Sequence, residues 1–187
     1  MREKLSLRAR KKVKKSQSLP IKKHQENTMK LLITTTALIL LTSFANAQVQ
    51  VDVVLNPMGD FKAKTGEVKG HAVVKGDEVT AENIVVPLKG LKTGIELRDK
   101  HTLKYLEVDK YPEAVLVSAT GKGGKGKGVI KIRGVEKEVA GVYKVDGKKL
   151  KAKFKLKLSD FGINDVNYMG VGVEDEVTLQ VLVPVQG

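Results

Sequence analysis

From residue 48 to the C-terminus, apolar side chains recur at every second position in short runs broken by turn residues. Val49, Val51 and Val53 alternate with Gln50 and Asp52, and an Asn56-Pro57-Met58-Gly59 turn follows. Phe61, Ala63 and Thr65 then alternate with Lys62 and Lys64. Further short runs occupy 68–74, 84–88, 115–117, 129–132, 139–145 and 177–185, and Lys75-Gly76-Asp77, Arg133-Gly134 and Asp146-Gly147 read as turns between them. The cleanest segment is 150–158, where Leu150, Ala152, Phe154, Leu156 and Leu158 share one face and Lys151, Lys153, Lys155 and Lys157 the other. That lysine row reads as a solvated sheet face that also discourages edge pairing. Strands with turn signals every ten or so residues predict an all-β sandwich or barrel, and about eight strands closed into a barrel can hold a small ligand.

One segment departs from period two. Residues 95–106 contain neither Gly nor Pro and predict a helix of two or three turns. Leu103 and Leu106 are expected to face the sheet and Lys100 and Lys104 the water, so that the helix forms a lid or side wall of the barrel.

The first 47 residues have another character. Met29-Lys30 precedes an uncharged, mostly apolar run from 31 to 44, too short to span a bilayer, which takes about 20 residues. Ala45-Asn46-Ala47 follows, with small residues where a signal peptidase requires them. The reading is a Sec-type signal peptide over 29–47, cleavage before Gln48, a mature domain over 48–187 and a periplasmic or secreted product. Residues 1–28 are basic and polar, and read as a disordered extension or as the result of a start assigned upstream of Met29.

This division changes what the charge means. The chain of 187 residues has a formal net charge of +13, but residues 48–187 carry only about +4 of it. Without a strong basic excess or an array of aromatics for base stacking, the mature part does not read as a nucleic-acid binder. Cysteine is absent, which excludes disulfides, thiol catalysis and zinc–thiolate sites.

The motifs that could carry chemistry fail on context. Gly121-Lys122-Gly123-Gly124-Lys125-Gly126 fits a phosphate-loop spacing, but strand residues follow where a helix N-terminus is needed, so a flexible basic hairpin loop is expected, with loose lipid-headgroup contact as its other use. The 165–176 segment has calcium-loop spacing, but Met169 stands where an oxygen ligand belongs. His71 and His101 lie in no metal-binding pattern, and no metal is expected. Ser118 and Ser159 lack a nucleophile-elbow context. Asp99 and Glu107 could pair as carboxylates, but read as solvated.

Three ordered segments resemble the YceI-like family of periplasmic polyisoprenoid-binding proteins. Thr93-Gly94-Ile95-Glu96-Leu97-Arg98-Asp99-Lys100-His101, continuing to Tyr111-Pro112, is similar to the family's T-G-x-x-x-R-D-x-H helix and Y-P strand start. Ile130-Lys131-Ile132-Arg133-Gly134-Val135 through Val139 is similar to its hairpin, and Ser159-Asp160-Phe161-Gly162-Ile163 to its S-D-F-G-I strand end. The family's opening histidines are not visible, and Glu107-Val108 replaces its aromatic pair after the helix. The resemblance implies a lipocalin-like, eight-stranded antiparallel barrel with an isoprenoid chain, such as a quinone tail, threaded through it. Phe61, Ala152, Phe154 and Leu156, with Leu103 and Leu106 from the helix, are then the expected tunnel wall. No cofactor other than that lipid and no enzymatic activity is expected, and peripheral membrane contact is. The competing readings are a barrel packed shut, serving as a structural or partner-binding module, and a hydrolase or isomerase, for which no convergent polar groups are visible.

Overall fold

A computed structural model describes residues 47–186; the leader, including Ala45, lies outside the described residues. Gln48 opens the first strand. The chain forms β1 (Gln48–Asn56), β2 (Asp60–Thr65), β3 (Ala72–Lys75) and β4 (Glu78–Pro87), then helix α1 (Glu96–Tyr105). There follow β5 (Glu113–Lys122), β6 (Lys125–Ile132), β7 (Val135–Asp146) and β8 (Lys149–Lys157). A short 3₁₀ turn at Ser159–Phe161 precedes β9 (Asn167–Tyr168), β10 (Val171–Val173) and β11 (Glu176–Gln186).

Seven strands close into a barrel in the order β3-β4-β5-β6-β7-β8-β11, the ring being sealed where β11 runs parallel to β3 at Val185–Ala72. β11 uses that same edge twice, because its earlier residues from Thr178 to Leu182 pair with β1. β1 in turn carries β2 and β10, so these strands and β9 lie outside the closed ring. The expected barrel is present with seven strands in its ring.

The hairpin turns follow their sequences. β5 and β6 join through Gly123-Gly124, both at positive φ, as a two-residue turn linking strands of right-handed twist requires. The glycine-rich segment is therefore a tight turn with strand on both sides, and Gly121, Gly126 and Gly128 belong to the sheet. The calcium-like segment folds as the β9–β10 hairpin, with Met169 and Gly170 at its tip.

Inward and outward positions alternate along β8 as period two requires: Leu150 and Leu156 are buried, Ala152 and Phe154 half-buried, and all five lysines exposed. Two buried clusters hold the ends of the barrel. One contains Ala72, Val79, Ala81, Ile84, Leu150 and Val183. The other contains Val53, Leu156, Phe161, Ile163 and Val177, with Leu106 of the helix region packed against it.

Candidate functional site: an apolar cavity beside the helix

A cavity of about 720 Å³ lies between the two clusters. Phe61, Ala152, Phe154 and Leu156 line it, as does Leu106 just beyond the helix. So do residues of both clusters, including Ile84, Val183, Phe161 and Val177. Nearly every strand contributes an inward Val, Leu, Ile or Ala, so the wall is hydrocarbon over most of its extent.

Leu103 stands outside this lining, half-buried, contrary to the expectation that it would face the interior. The helix turns Arg98, Thr102 and Tyr105 to the cavity instead. At 3.6 residues per turn these fall on one line, and Leu103 lies about 140° around the helix from Arg98. The inward stripe is polar and aromatic, so a search for apolar periodicity could not find it. Lys100 and Lys104 are exposed, as expected.

The polar side chains at this end of the cavity are held by packing. The Arg98 guanidinium sits 4.5 Å over the Phe61 ring, a cation–π contact that fixes α1 over β2. His101 meets Tyr168 edge to face at 4.7 Å, joining the helix to the β9–β10 hairpin. Tyr105 Oη donates to the Asn167 carbonyl at 3.2 Å and tightens the same contact. Ile95, Leu97, Tyr168, Met169 and Val171 are exposed and also line the cavity, so the cavity reaches the surface between α1 and this hairpin.

The opposite wall is made partly of bare main chain. Gly121, Gly126 and Gly141 stand side by side on β5, β6 and β7, and Gly128 lies in the next row. The Tyr143 ring fills part of this space: a Cβ on Gly121 would come within 2.4 Å of its Cε1 atom. Glycine in a strand interior costs stability and marks a close approach, here of the Tyr143 ring and of neighbouring main chain.

The motif residues outside the lining are structural ties. Asp99 is buried and accepts from the Thr93 amide and hydroxyl, both at 2.7 Å, folding the Thr93-Gly94 loop onto the helix start. Gly94 permits that loop with φ +85°. The Thr93 hydroxyl, aided by its amide and by Lys92, holds the Asp99 carboxyl below the usual carboxylate range. Glu107 does not approach Asp99 as a partner; it pairs with Arg133, whose guanidinium also donates to the carbonyls of Phe161 and Gly162. Both acids were expected to be solvated; burial beside Thr93 and pairing with Arg133 are what the fold gives them. Tyr111 packs on Gly134, and the Pro112 carbonyl accepts from Leu88 at 2.9 Å. Asp160 lies 4.0 Å from Lys137, and Phe161 is buried. Asp175 accepts from the Ser159 amide and hydroxyl, and these bonds lower its pKa.

No curated protein sequence matches the chain significantly. Among solved structures, Burkholderia cenocepacia BcnA is similar, with a TM-score of 0.59 and 13% identity over 76% of this chain and 98% of that one. A polyisoprenoid binding domain from Saccharophagus degradans is also similar, with a TM-score of 0.50 and 12% identity over 73% of this chain and 91% of that one. At these identities the likeness is one of fold. The sequence model of the YceI-like domain matches residues 41–184, most of the chain. The chain belongs to the YceI-like domain family.

Proposed function

We propose that this protein binds a long apolar lipid, of the polyisoprenoid or quinone-tail type, inside its barrel, and that it does so as a carrier outside the cytoplasm and not as an enzyme. The observation that carries the reading is the cavity of about 720 Å³ walled by inward side chains of nearly every strand. Its volume lies within the range of about 300–1,000 Å³ usual for small-molecule sites. Each buried CH₂ contributes about 0.8 kcal/mol before ordering costs, so a chain of some 20 carbons needs no charged anchor. The likeness to a polyisoprenoid binding domain supports the same ligand class. The side chains nearest to acid–base chemistry, Arg98, His101 and Tyr105, are engaged in packing contacts, which favours binding over catalysis.

Export is the second part of the proposal. The expected cleavage point before Gln48 coincides with the start of β1, so removal of residues 29–47 would leave the strand whole. Native mass spectrometry of protein gently purified from the exporting cell tests both parts. The expected species begins at Gln48 and carries one apolar lipid of isoprenoid mass. A chain that retains residues 31–44, or one that carries no lipid under conditions that preserve it in a known lipid carrier, speaks against the corresponding part.

A further inference from the structure

The outward face of β6, β7 and β8 carries lysines that the fold does not require. In register, Lys125 on β6 stands opposite Val142 on β7, and Val142 stands opposite Lys153 on β8. Lys127 stands opposite Ala140, and Lys144 opposite Lys151. All five lysines are exposed, and among the described residues none is within ion-pair distance of a carboxylate. One acid stands within this face: Glu138, exposed on β7 opposite Val129 and next to Ala140 on the same side of the strand. The other acids lie at its margins. Glu136 pairs with Lys131 at one end, Glu176 pairs with Lys155 at the β11 side, and Asp146 sits at the hairpin turn.

Two features mark the arrangement as more than a solvated surface. Like charges directly across a ladder, as at Lys144 and Lys151, are destabilising. Protection of a sheet edge does not account for them either, because β8 is paired on both sides at Lys151 and Lys153, with β7 and with β11. In the middle of the five ammonium groups lies Val142, 55% exposed, with Ala140 beside it.

We propose that this face docks the protein on an anionic bilayer surface. Lysine ammonium groups match lipid phosphates, and the small apolar centre matches the boundary between headgroups and acyl chains. The face has no aromatic side chain on which the bases of a single-stranded nucleic acid could stack. The choice of a bilayer among polyanions rests on the lipid-binding reading above.

Vesicle flotation tests it. The mature protein is mixed with vesicles of phosphatidylcholine alone or of equal phosphatidylcholine and phosphatidylglycerol. The variants are Lys125→Gln/Lys144→Gln/Lys151→Gln, none of which lines the cavity, and, with the same charge change on β2 and α1, Lys62→Gln/Lys100→Gln/Lys104→Gln. Binding is expected only to the anionic vesicles, with loss as salt rises from about 0.1 M to 1 M. Each lysine near an anionic surface contributes about fivefold, so the first variant should bind about a hundredfold more weakly and the second nearly as wild type. No binding to anionic vesicles, equal loss in both variants, or loss in the second alone overturns the proposal. So does an oligonucleotide that competes the protein off the vesicles at equal phosphate concentration. Lipid content of each variant in detergent solution is measured in parallel. It should be unchanged in both, and its absence in wild type would count against the carrier reading and not against the docking face.

Discussion

The Arg133 guanidinium is paired with the Glu107 carboxylate, and both residues hold left-handed backbone conformations, with φ of 50° each. Arg133 occupies the β6–β7 turn and Glu107 follows α1. The same guanidinium reaches the carbonyls of Phe161 and Gly162 after β8. One side chain, 16% exposed, thus ties together the helix, a hairpin turn and the 3₁₀ turn that closes one end of the cavity. These are the three segments that carry the family resemblance.

Arg133→Ala should lower stability by about 2–3 kcal/mol, since hydrogen bonds to charged groups contribute about 1.5–3 kcal/mol each and several acceptors lose their donor together. Arg133→Gly should cost about 1 kcal/mol less than Arg133→Ala, because glycine relieves the left-handed strain that alanine keeps. Urea denaturation of the three proteins checks the order. A glycine variant less stable than the alanine variant would show that the turn carries no strain.

Acid should weaken the fold through Asp99 and Asp175. Both carboxyls titrate below their ordinary value of 3.8 because Thr93 and Ser159 donate to the charged forms. Between the folded and unfolded values the unfolded chain binds protons that the folded chain does not. Their stabilising contribution is therefore full above about pH 4 to 5 and is lost as pH falls through the folded values. Asp99→Asn should be less stable than wild type at pH 7, and the gap should narrow at pH 3 and below. Denaturant midpoints across that range check it, and a gap that stays constant would contradict the assignment.

The glycine wall makes opposite predictions at two positions. A Cβ on Gly141 meets the Lys153 carbonyl at 2.5 Å, which is main chain of a paired strand and cannot move cheaply. Gly141→Ala should cost about 1–3 kcal/mol of stability, the usual range for overpacking. At Gly121 the nearest obstacle is the Tyr143 ring, which can turn into the cavity, and the main-chain contact, with the Lys125 carbonyl, is looser at 3.1 Å. Gly121→Ala should therefore lose less stability than Gly141→Ala while taking up less lipid. Thermal melting and lipid content measured together separate the two effects.

Period two made the strands legible, because burial on one face writes itself directly into the order of residues, as at Leu150 to Leu158. The barrel and the apolar wall from β2 and β8 could be read from that pattern. Seven ring strands with β1 and β2 outside could not, because the second use of β11's edge is a long-range pairing with no local mark. The helix was legible as a helix, but its inward line of Arg98, Thr102 and Tyr105 is not apolar, so Leu103 was misplaced. Glu107 looked like a departure from the family pattern; its partner lies 26 residues on, and only the fold brings them together.

The central claim, that the barrel holds a lipid chain in its interior, is tested most directly by titrating lipid-free refolded protein with a polyprenol, wild type against Leu156→Phe. Leu156 is buried at the cavity wall, so the added ring should obstruct a hollow interior but merely strain a closed one. The account predicts one site in wild type with a negative heat-capacity change. In Leu156→Phe it predicts affinity at least about tenfold lower with little change in Tm, tenfold being about 1.4 kcal/mol. Equal affinity in the two proteins, or no binding in either, would contradict it.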